Sequence, residues 1–273
     1  MTDVDILKMK EELISKFNYG FEDLVNVMVL LRSEEGCPWD REQTHESIRS
    51  NFIEETYEVI EAIDTNDPKL LREELGDVML QVVFHARMEE EKGVFDIHDV
   101  CSDICKKLIH RHPHVFGEVE VENSAEVLEV WNQVKNDEKQ RNTVTDKLKA
   151  IPPMLPALMR AEKVGKKAKC FDFADFASVR VKLDEELCEL DFAVASKERD
   201  AIEEELGDIL LTVTSMARKL GVDSEFALTK SVEKFITRFE TLENETVKRN
   251  IDINSAPMSE LDNIWDEIKH KNY

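Results

Sequence analysis

The chain of 273 residues is strongly acidic: 59 Asp and Glu residues outnumber 36 Lys and Arg residues, which gives a formal net charge of −23 at pH 7. A broad basic face for long nucleic acid or for an anionic membrane is therefore not expected, although metal ions and a few local cations can still receive a small anionic ligand. Because 42% of the residues are hydrophobic, the chain can build real cores and is not a disordered acidic tail. With only 8 Gly and 7 Pro among long runs of helix formers, we predict an all-α fold.

Cysteine usage and hydropathy predict a cytoplasmic protein. The 5 cysteines form no Cys-x-x-Cys pair, and their odd number is typical of reduced thiols. No apolar run approaches the roughly 20 residues of a membrane span, and the acidic N-terminus has no signal-peptide core. We therefore expect no association with a membrane.

The first half of the chain is predicted to be a helical domain with an N-terminal extension. Residues 1–20 form an amphipathic helical extension, and residues 21–141 form the domain. Gly and Pro predict a turn over residues 34–40, and the proline at position 113 predicts an extended segment over residues 111–117. The helices of the domain are expected at about 21–33, 44–65, 68–92, 97–110 and 124–141.

The second half repeats this order after a proline-rich linker, which we place at residues 142–156. Pro152, Pro153 and Pro156 lie in that segment. The second domain, residues 157–273, begins with a short helix through Met159 and has a turn at residues 170–173. Its later helices are expected at about 178–196, 198–220, 224–249 and 259–270.

An acidic motif occurs twice in the chain. Both copies read Glu-Glu-x-x-Glu, then a spacer, then Glu-Glu-Leu-Gly-Asp, and every matched residue is displaced by 131 positions. The copies begin at Glu54 and Glu185. The spacing of acids on a solvated surface is not constrained in this way, so we interpret the motif as a duplicated functional unit.

The spacing predicts that four carboxylates meet in each copy. Residues one helical turn apart share a face, and in a helical hairpin folded at Asn66, residues equally distant from Asn66 lie level. The first copy has two such pairs: Glu58 with Glu74, and Glu55 with Asp77. The second copy, folded near Lys197, has the corresponding pairs: Glu189 with Glu205, and Glu186 with Asp208.

Apolar residues flank these acids, so the carboxylates lie beside buried faces where mutual repulsion and desolvation are costly. A hard divalent cation with oxygen ligands relieves both costs, and Mg²⁺ also keeps open positions for water and phosphate oxygens. We therefore predict a Mg²⁺ site in the second copy, with Mn²⁺ as the other candidate ion, and a candidate second metal site in the first copy.

Cations and a tryptophan recur after each acidic motif. Cations one helical turn apart suit two phosphate groups, and a Trp–Lys pair offers a nucleotide both a ring face and a charge. The corresponding pairs are Lys107-x-x-x-Arg111 with Lys234-x-x-x-Arg238, and Trp131-x-x-x-Lys135 with Trp265-x-x-x-Lys269.

Together with Gly-Cys-Pro-Trp-Asp at 36–40 and Arg-His-Pro-His-Val-Phe at 111–116, these motifs resemble two-domain bacterial MazG proteins over residues 21–270. The resemblance implies tandem all-α bundles, a homodimer, and Mg²⁺-dependent hydrolysis of nucleoside triphosphates to a nucleoside monophosphate and pyrophosphate. By position it also implies the second-half metal ligands, Glu186, Glu189, Glu205 and Asp208. The residues that it implies for nucleotide binding are Lys182, Lys234, Arg238, Trp265 and Lys269.

One difference separates the two halves. Lys182 lies one turn before Glu186, whereas Asn51 occupies the matching position in the first half. We therefore assign catalysis mainly to the second half, where Lys182 meets a phosphate and metal ions activate a water for in-line attack on phosphorus. Glu185 is a candidate for orienting that water, and no protein nucleophile is expected.

Two other interpretations stay open at this point. The tandem bundles fit a non-catalytic regulatory or assembly module whose acids merely bind metal. They also fit a pyrophosphatase specialised for one nucleotide, such as a dUTP- or phosphoribosyl-ATP-type enzyme. Because no base-reading motif is legible, we expect broad, house-cleaning specificity.

Overall fold

The computed structural model describes residues 3–139 and 142–271. Over these residues it has fourteen α-helices, one 3₁₀ helix and no strand, which confirms the predicted all-α class and its tandem bundles. The chain folds into two compact units, residues 1–134 and residues 135–273. None of the helices in the described part is both long and apolar enough to span a bilayer.

The first unit contains seven helices and most of an eighth, which ends in the second unit. Its helices are α1 (Asp3–Ser15), α2 (Phe21–Leu31), α3 (Pro38–Glu42), α4 (Arg49–Asp64), α5 (Pro68–Glu91), α6 (Ile97–Arg111), α7 (Pro113–Phe116) and α8 (Ser124–Glu138). Helix α4 packs along α5, and α2 and α6 pack against α5. Their apolar sides form a core around Met28, Val83 and Phe84.

The second unit repeats this packing. Its helices are α9 (Val144–Lys149), α10 (Ala157–Lys167), a 3₁₀ turn (Lys169–Phe171), α11 (Phe176–Ser196), α12 (Arg199–Lys219), α13 (Ser224–Lys248) and α14 (Met258–Lys271). Helix α11 packs along α12, α10 packs against α12 and α13, and α13 packs against α14. Leu242, Ile264 and Ile268 are buried between α13 and α14. Helix α9 lies within the segment that we predicted as a linker.

One predicted break is wrong and another extends too far, for one physical reason. Residues 111–117, expected to be extended, include the end of α6 and the helical turn α7, which begins at Pro113. In the predicted turn over residues 34–40, Pro38 likewise begins α3. Proline lacks an N–H, but the first helical position needs none, so it starts a helix as readily as it ends one.

Some helix ends also differ from prediction. Helix α1 ends at Ser15 rather than near Gly20, and α4 begins at Arg49. The helix predicted to reach residue 141 ends at Glu138, and residues 140 and 141 lie outside the described part.

The two helical hairpins fold where the sequence predicts. Asp67 caps α5 by accepting hydrogen bonds from the backbone N–H groups of Lys69 and Leu70, and Pro68 is the first helical residue. The preceding residue, Asn66, has a φ of 54°, and Lys197 in the second hairpin has a φ of 61°. Both joints therefore use one left-handed residue to reverse the chain between antiparallel helices.

Candidate metal and nucleotide site

The first unit brings three acidic side chains together between α4 and α5. One carboxylate oxygen from each of Glu55, Glu58 and Glu74 lies within 4.8 Å of the others. Glu74 is only 8% exposed. Burial raises the pKa of Glu74, and the neighbouring charge of Glu58 raises it further. Burial likewise raises the pKa of Glu55, with a further contribution from the charge of Asp77.

The second unit has the matching cluster between α11 and α12. Carboxylate oxygens of Glu186, Glu205 and Asp208 lie within 4.8 Å of one another. Glu186 is 4% exposed. Burial raises the pKa of Glu205, and the charges of Glu186 and Asp208 add to the effect. The pKa of Glu189 is raised mainly by a hydrogen bond with the Glu186 carboxyl group and, to a smaller extent, by burial.

Each cluster holds three of the four acids predicted for it. Asp77 and Glu189 lie outside the tight groups, but each interacts electrostatically with members of its own cluster. Oxygen ligands about 2.1 Å from Mg²⁺ are separated by no more than about 4.2 Å across an octahedron. Three mutually repelling carboxylates whose oxygens lie within 4.8 Å of one another are a donor set that could hold a divalent cation after a small adjustment of the side chains.

Lys182 places a cation directly against the second cluster. Its Nζ atom lies 2.9 Å from Glu185 Oε1 and 3.1 Å from Glu186 Oε1. Both hydrogen bonds raise the pKa of Lys182, and the one to Glu185 contributes more than the one to Glu186. In the first unit, Asn51 occupies this position, carries no charge, and accepts a long hydrogen bond, 3.4 Å, from Ser50 Oγ.

Apart from Lys182 on α11, the residues predicted for nucleotide binding lie on the last two helices of the second unit. Lys234 and Arg238 project from α13, and Trp265 and Lys269 project from α14. Lys269 Nζ is 2.7 Å from Asp266 Oδ1. The Trp265 ring contacts the ring of Phe235, with centroids 5.3 Å apart. Lys234 and Arg238 have no ion-pair partner within the residues described.

The corresponding residues of the first unit are arranged differently. The Arg111 guanidinium lies over the Trp131 ring, 5.3 Å from its centroid. Arg111 is only 4% exposed. The first unit thus repeats the carboxylate cluster of the second but not its half-exposed arginine.

Asp172, in the predicted turn at residues 170–173, has a structural role. Its carboxylate accepts hydrogen bonds from both terminal nitrogens of Arg218, at 2.7 and 2.5 Å, and from Lys219 at 3.0 Å. These contacts, led by Arg218, hold the pKa of Asp172 well below its usual range. Asp172 thereby ties the 3₁₀ turn before α11 to the end of α12.

Sequence reasoning missed two arrangements. Phe235 stands between Lys234 and Arg238, and only a comparison with the equivalent residue in the other copy, Leu108, singles it out. His45 and His85 lie 40 positions apart, and their Nδ1 atoms are 2.7 Å apart in the structure. No local spacing in the sequence predicts the contact between His45 and His85.

Comparison with known proteins agrees with the repeated hairpin. A sequence model of the MazG nucleotide pyrophosphohydrolase domain matches the chain at residues 43–116 and 175–242, and each match contains one acid cluster. The chain is 42% identical over 251 residues to the nucleoside triphosphate pyrophosphohydrolase/pyrophosphatase MazG of Thermotoga maritima, covering 91% of this chain and 95% of that protein. It is 41% identical over 253 residues to the nucleoside triphosphate pyrophosphohydrolase of Escherichia coli K12, covering 91% and 96%.

A third relative is larger than this chain. The chain is 37% identical over 272 residues to the uncharacterized protein YabN of Bacillus subtilis, covering 98% of this chain and 55% of that protein. The two matches to the domain, together with identity that runs through nearly the whole chain, confirm the family that the motifs predicted. This chain belongs to the MazG nucleotide pyrophosphohydrolase family, a family of hydrolases, and carries its domain twice.

Proposed function

We propose that this chain hydrolyses nucleoside triphosphates to a nucleoside monophosphate and pyrophosphate in the cytoplasm, with Mg²⁺ as its cofactor. The names of the two full-length relatives support the substrate class. The observation that carries the proposal is the buried carboxylate cluster of α11 and α12 with the Lys182 ammonium beside it. This site combines ligands for a hard cation with a positive charge at the place where a phosphate would lie.

In this proposal, Glu186, Glu189, Glu205 and Asp208 hold the metal. When bound, the metal supplies Lewis-acid polarisation of phosphate oxygens and a more acidic water. The protein's own groups do the rest. Lys182 neutralises charge that develops on the triphosphate, and Glu185 accepts a proton from the attacking water once Lys182 turns to the phosphate.

Four residues of α13 and α14 bind the remaining parts of the nucleotide. Lys234 and Arg238, one turn apart on α13, pair with the phosphates that leave as pyrophosphate. Trp265 offers an aromatic face and Lys269 a charge to the nucleoside. None of these groups reads the edge of a base, so we propose broad specificity over bases.

The first unit has a different role in this proposal. Its cluster of Glu55, Glu58 and Glu74, with Asp77 nearby, binds a metal ion, but Asn51 supplies no charge to a phosphate. We assign this unit mainly to assembly and regulation, with weak hydrolysis at most.

We further propose that the chain forms a homodimer. Exposed apolar side chains on both hairpins supply suitable faces: Ile53, Tyr57, Leu75, Met79, Leu187, Leu206, Leu210 and Leu211. Light scattering at micromolar concentration should give the dimer mass, and a monomer mass would contradict this part.

The activity is tested with a panel of standard and modified nucleoside triphosphates, with products separated as monophosphate plus pyrophosphate or diphosphate plus phosphate. We expect the first pair of products in Mg²⁺ and none in EDTA. Glu186→Gln should abolish turnover while leaving the helical content unchanged, and Glu203→Gln, an exposed acid outside the cluster, is the matched control. Full activity in EDTA or in Glu186→Gln would overturn the metal-dependent mechanism.

A further inference from the structure

The two copies of the domain carry an arginine and a tryptophan in the same register. Asp96 caps α6 and Asp223 caps α13, each by accepting a hydrogen bond from a backbone N–H in the first turn. Counted from these caps, Arg111 and Arg238 occupy the same position on their helices. The partner tryptophans lie on the helix that ends each repeat.

The two arginines are nevertheless placed differently. Arg111 lies over the face of Trp131 and is 4% exposed. Arg238 is half-buried and makes no ring contact with Trp265 or with any other residue that the structure describes. The arginine and the tryptophan are thus in contact in the first unit and separated in the second.

The residue one turn earlier accounts for this difference. In the second unit it is Phe235, whose ring lies 5.3 Å from the Trp265 ring at an interplanar angle of 49°. Phe239 also stacks on Phe235, with centroids 5.9 Å apart at an interplanar angle of 25°. In the first unit the equivalent residue is Leu108, which has no aromatic ring and is 44% exposed. A guanidinium reaches the tryptophan only where no aromatic ring already covers it.

We propose that Phe235 is a positioning residue, whose ring occupies one face of Trp265, leaves the opposite face for the nucleoside, and so keeps the Arg238 guanidinium free to bind a substrate phosphate. The effect on phosphate binding rests on the proposed function, whereas the contact between Phe235 and Trp265 does not. In the first unit, Leu108 leaves Trp131 open and Arg111 closes over it. That unit therefore lacks an available phosphate-binding arginine as well as the charge of Lys182.

The kinetic test uses a double-mutant cycle. Phe235→Leu, which copies the first unit, should lower kcat/KM for a nucleoside triphosphate about tenfold, the effect of losing one charge-assisted hydrogen bond. Phe235→Tyr keeps the ring and should retain activity. Arg238→Gln should cause a similar loss in the wild type but almost none in the Phe235→Leu background, because there the guanidinium is already withdrawn. Independent, additive losses would show that Phe235 does not act through Arg238.

A second measurement reads the position of Arg238 without any turnover. The Nε–H resonance of an arginine above an indole ring is shifted upfield by the ring current. In the wild type we expect this shift for Arg111 and not for Arg238; in Phe235→Leu we expect it for both. An unchanged Arg238 resonance in Phe235→Leu would overturn the inference. If the wild type hydrolyses no nucleoside triphosphate, the proposed function fails while this spectrum still decides the role of Phe235.

Discussion

Asn66 and Lys197 are the same joint in two copies of one hairpin. Both are left-handed, with φ of 54° and 61°, and they are separated by the same 131 positions as the acids they bring level. A shift of either joint by one residue would rotate one carboxylate pair out of its cluster. The conformation of a single residue thus decides whether each acidic motif forms a site.

The two joints should respond differently to glycine. Lysine is strained at positive φ, whereas asparagine tolerates it, so Lys197→Gly should raise the free energy of unfolding by about 0.5–1 kcal/mol after the entropy gained by the unfolded chain is subtracted. Asn66→Gly should change it by much less. Urea denaturation of the two variants provides the measurement. A clear loss of stability in Lys197→Gly would show that its side chain has a structural role.

Catalysis should depend on the second cluster. Glu58→Gln and Glu189→Gln remove corresponding acids from the two units, and on the same triphosphate panel we expect the first to keep most activity and the second to lose nearly all. Lys182→Asn, which copies Asn51, should lower the rate by a factor of about 10²–10³, because it removes a cation from developing phosphate charge. Equal losses in the two glutamine variants, or the reverse order, would locate catalysis in the first unit as well.

Asp172→Asn should destabilise the second unit. The change removes the carboxylate that accepts hydrogen bonds from both Arg218 and Lys219, at a site where Arg218 is only 13% exposed, at a cost of about 2–3 kcal/mol. The matched control is Asp184→Asn, which breaks the exposed pair with Arg180 and should cost less than about 0.5 kcal/mol. Chemical denaturation compares the two variants directly, and similar values for both would contradict the distinction.

Stability of the first unit should fall below neutral pH because of a histidine pair. His85 Nδ1 lies 2.7 Å from His45 Nδ1, and His45 Nε2 lies 2.6 Å from Glu89 Oε1. At that distance one proton lies between the two facing Nδ1 atoms. Because a charged imidazole carries a proton on each nitrogen, the two rings cannot both be charged while the contact persists. Burial lowers the pKa of His85, and the neighbouring charge of His45 lowers it further.

The sign of the effect follows from proton linkage. Below about pH 6.5 the unfolded chain protonates His85, whereas the folded chain resists protonation, so the unfolded state binds more protons and stability is lost as pH falls. His85→Met, which copies Met216 of the second copy, should flatten the decline in urea midpoint between pH 8 and pH 5.5. His98→Gln, at an exposed histidine, should leave the decline unchanged. A wild-type slope equal to that of His85→Met would rule out this linkage.

The sequence predicts the hairpins well because they depend on local rules. Acid spacing, the Asp67 cap and the joints at Asn66 and Lys197 follow from helix geometry within a few turns of chain. Prolines at positions 38 and 113 misled the prediction, since a proline looks the same whether it ends or begins a helix. Contacts between distant segments, such as His45 with His85, depend on packing that no local pattern records.

The locality of the acid clusters has a kinetic consequence. All the carboxylates of the first cluster lie between Glu55 and Asp77, and those of the second lie between Glu186 and Asp208. Each set therefore requires only that one hairpin close, a step with a short loop and low contact order that we expect to be faster than the docking of distant helices. During synthesis the first hairpin leaves the ribosome complete before the second is translated, so its carboxylates can come together while the rest of the chain is still emerging.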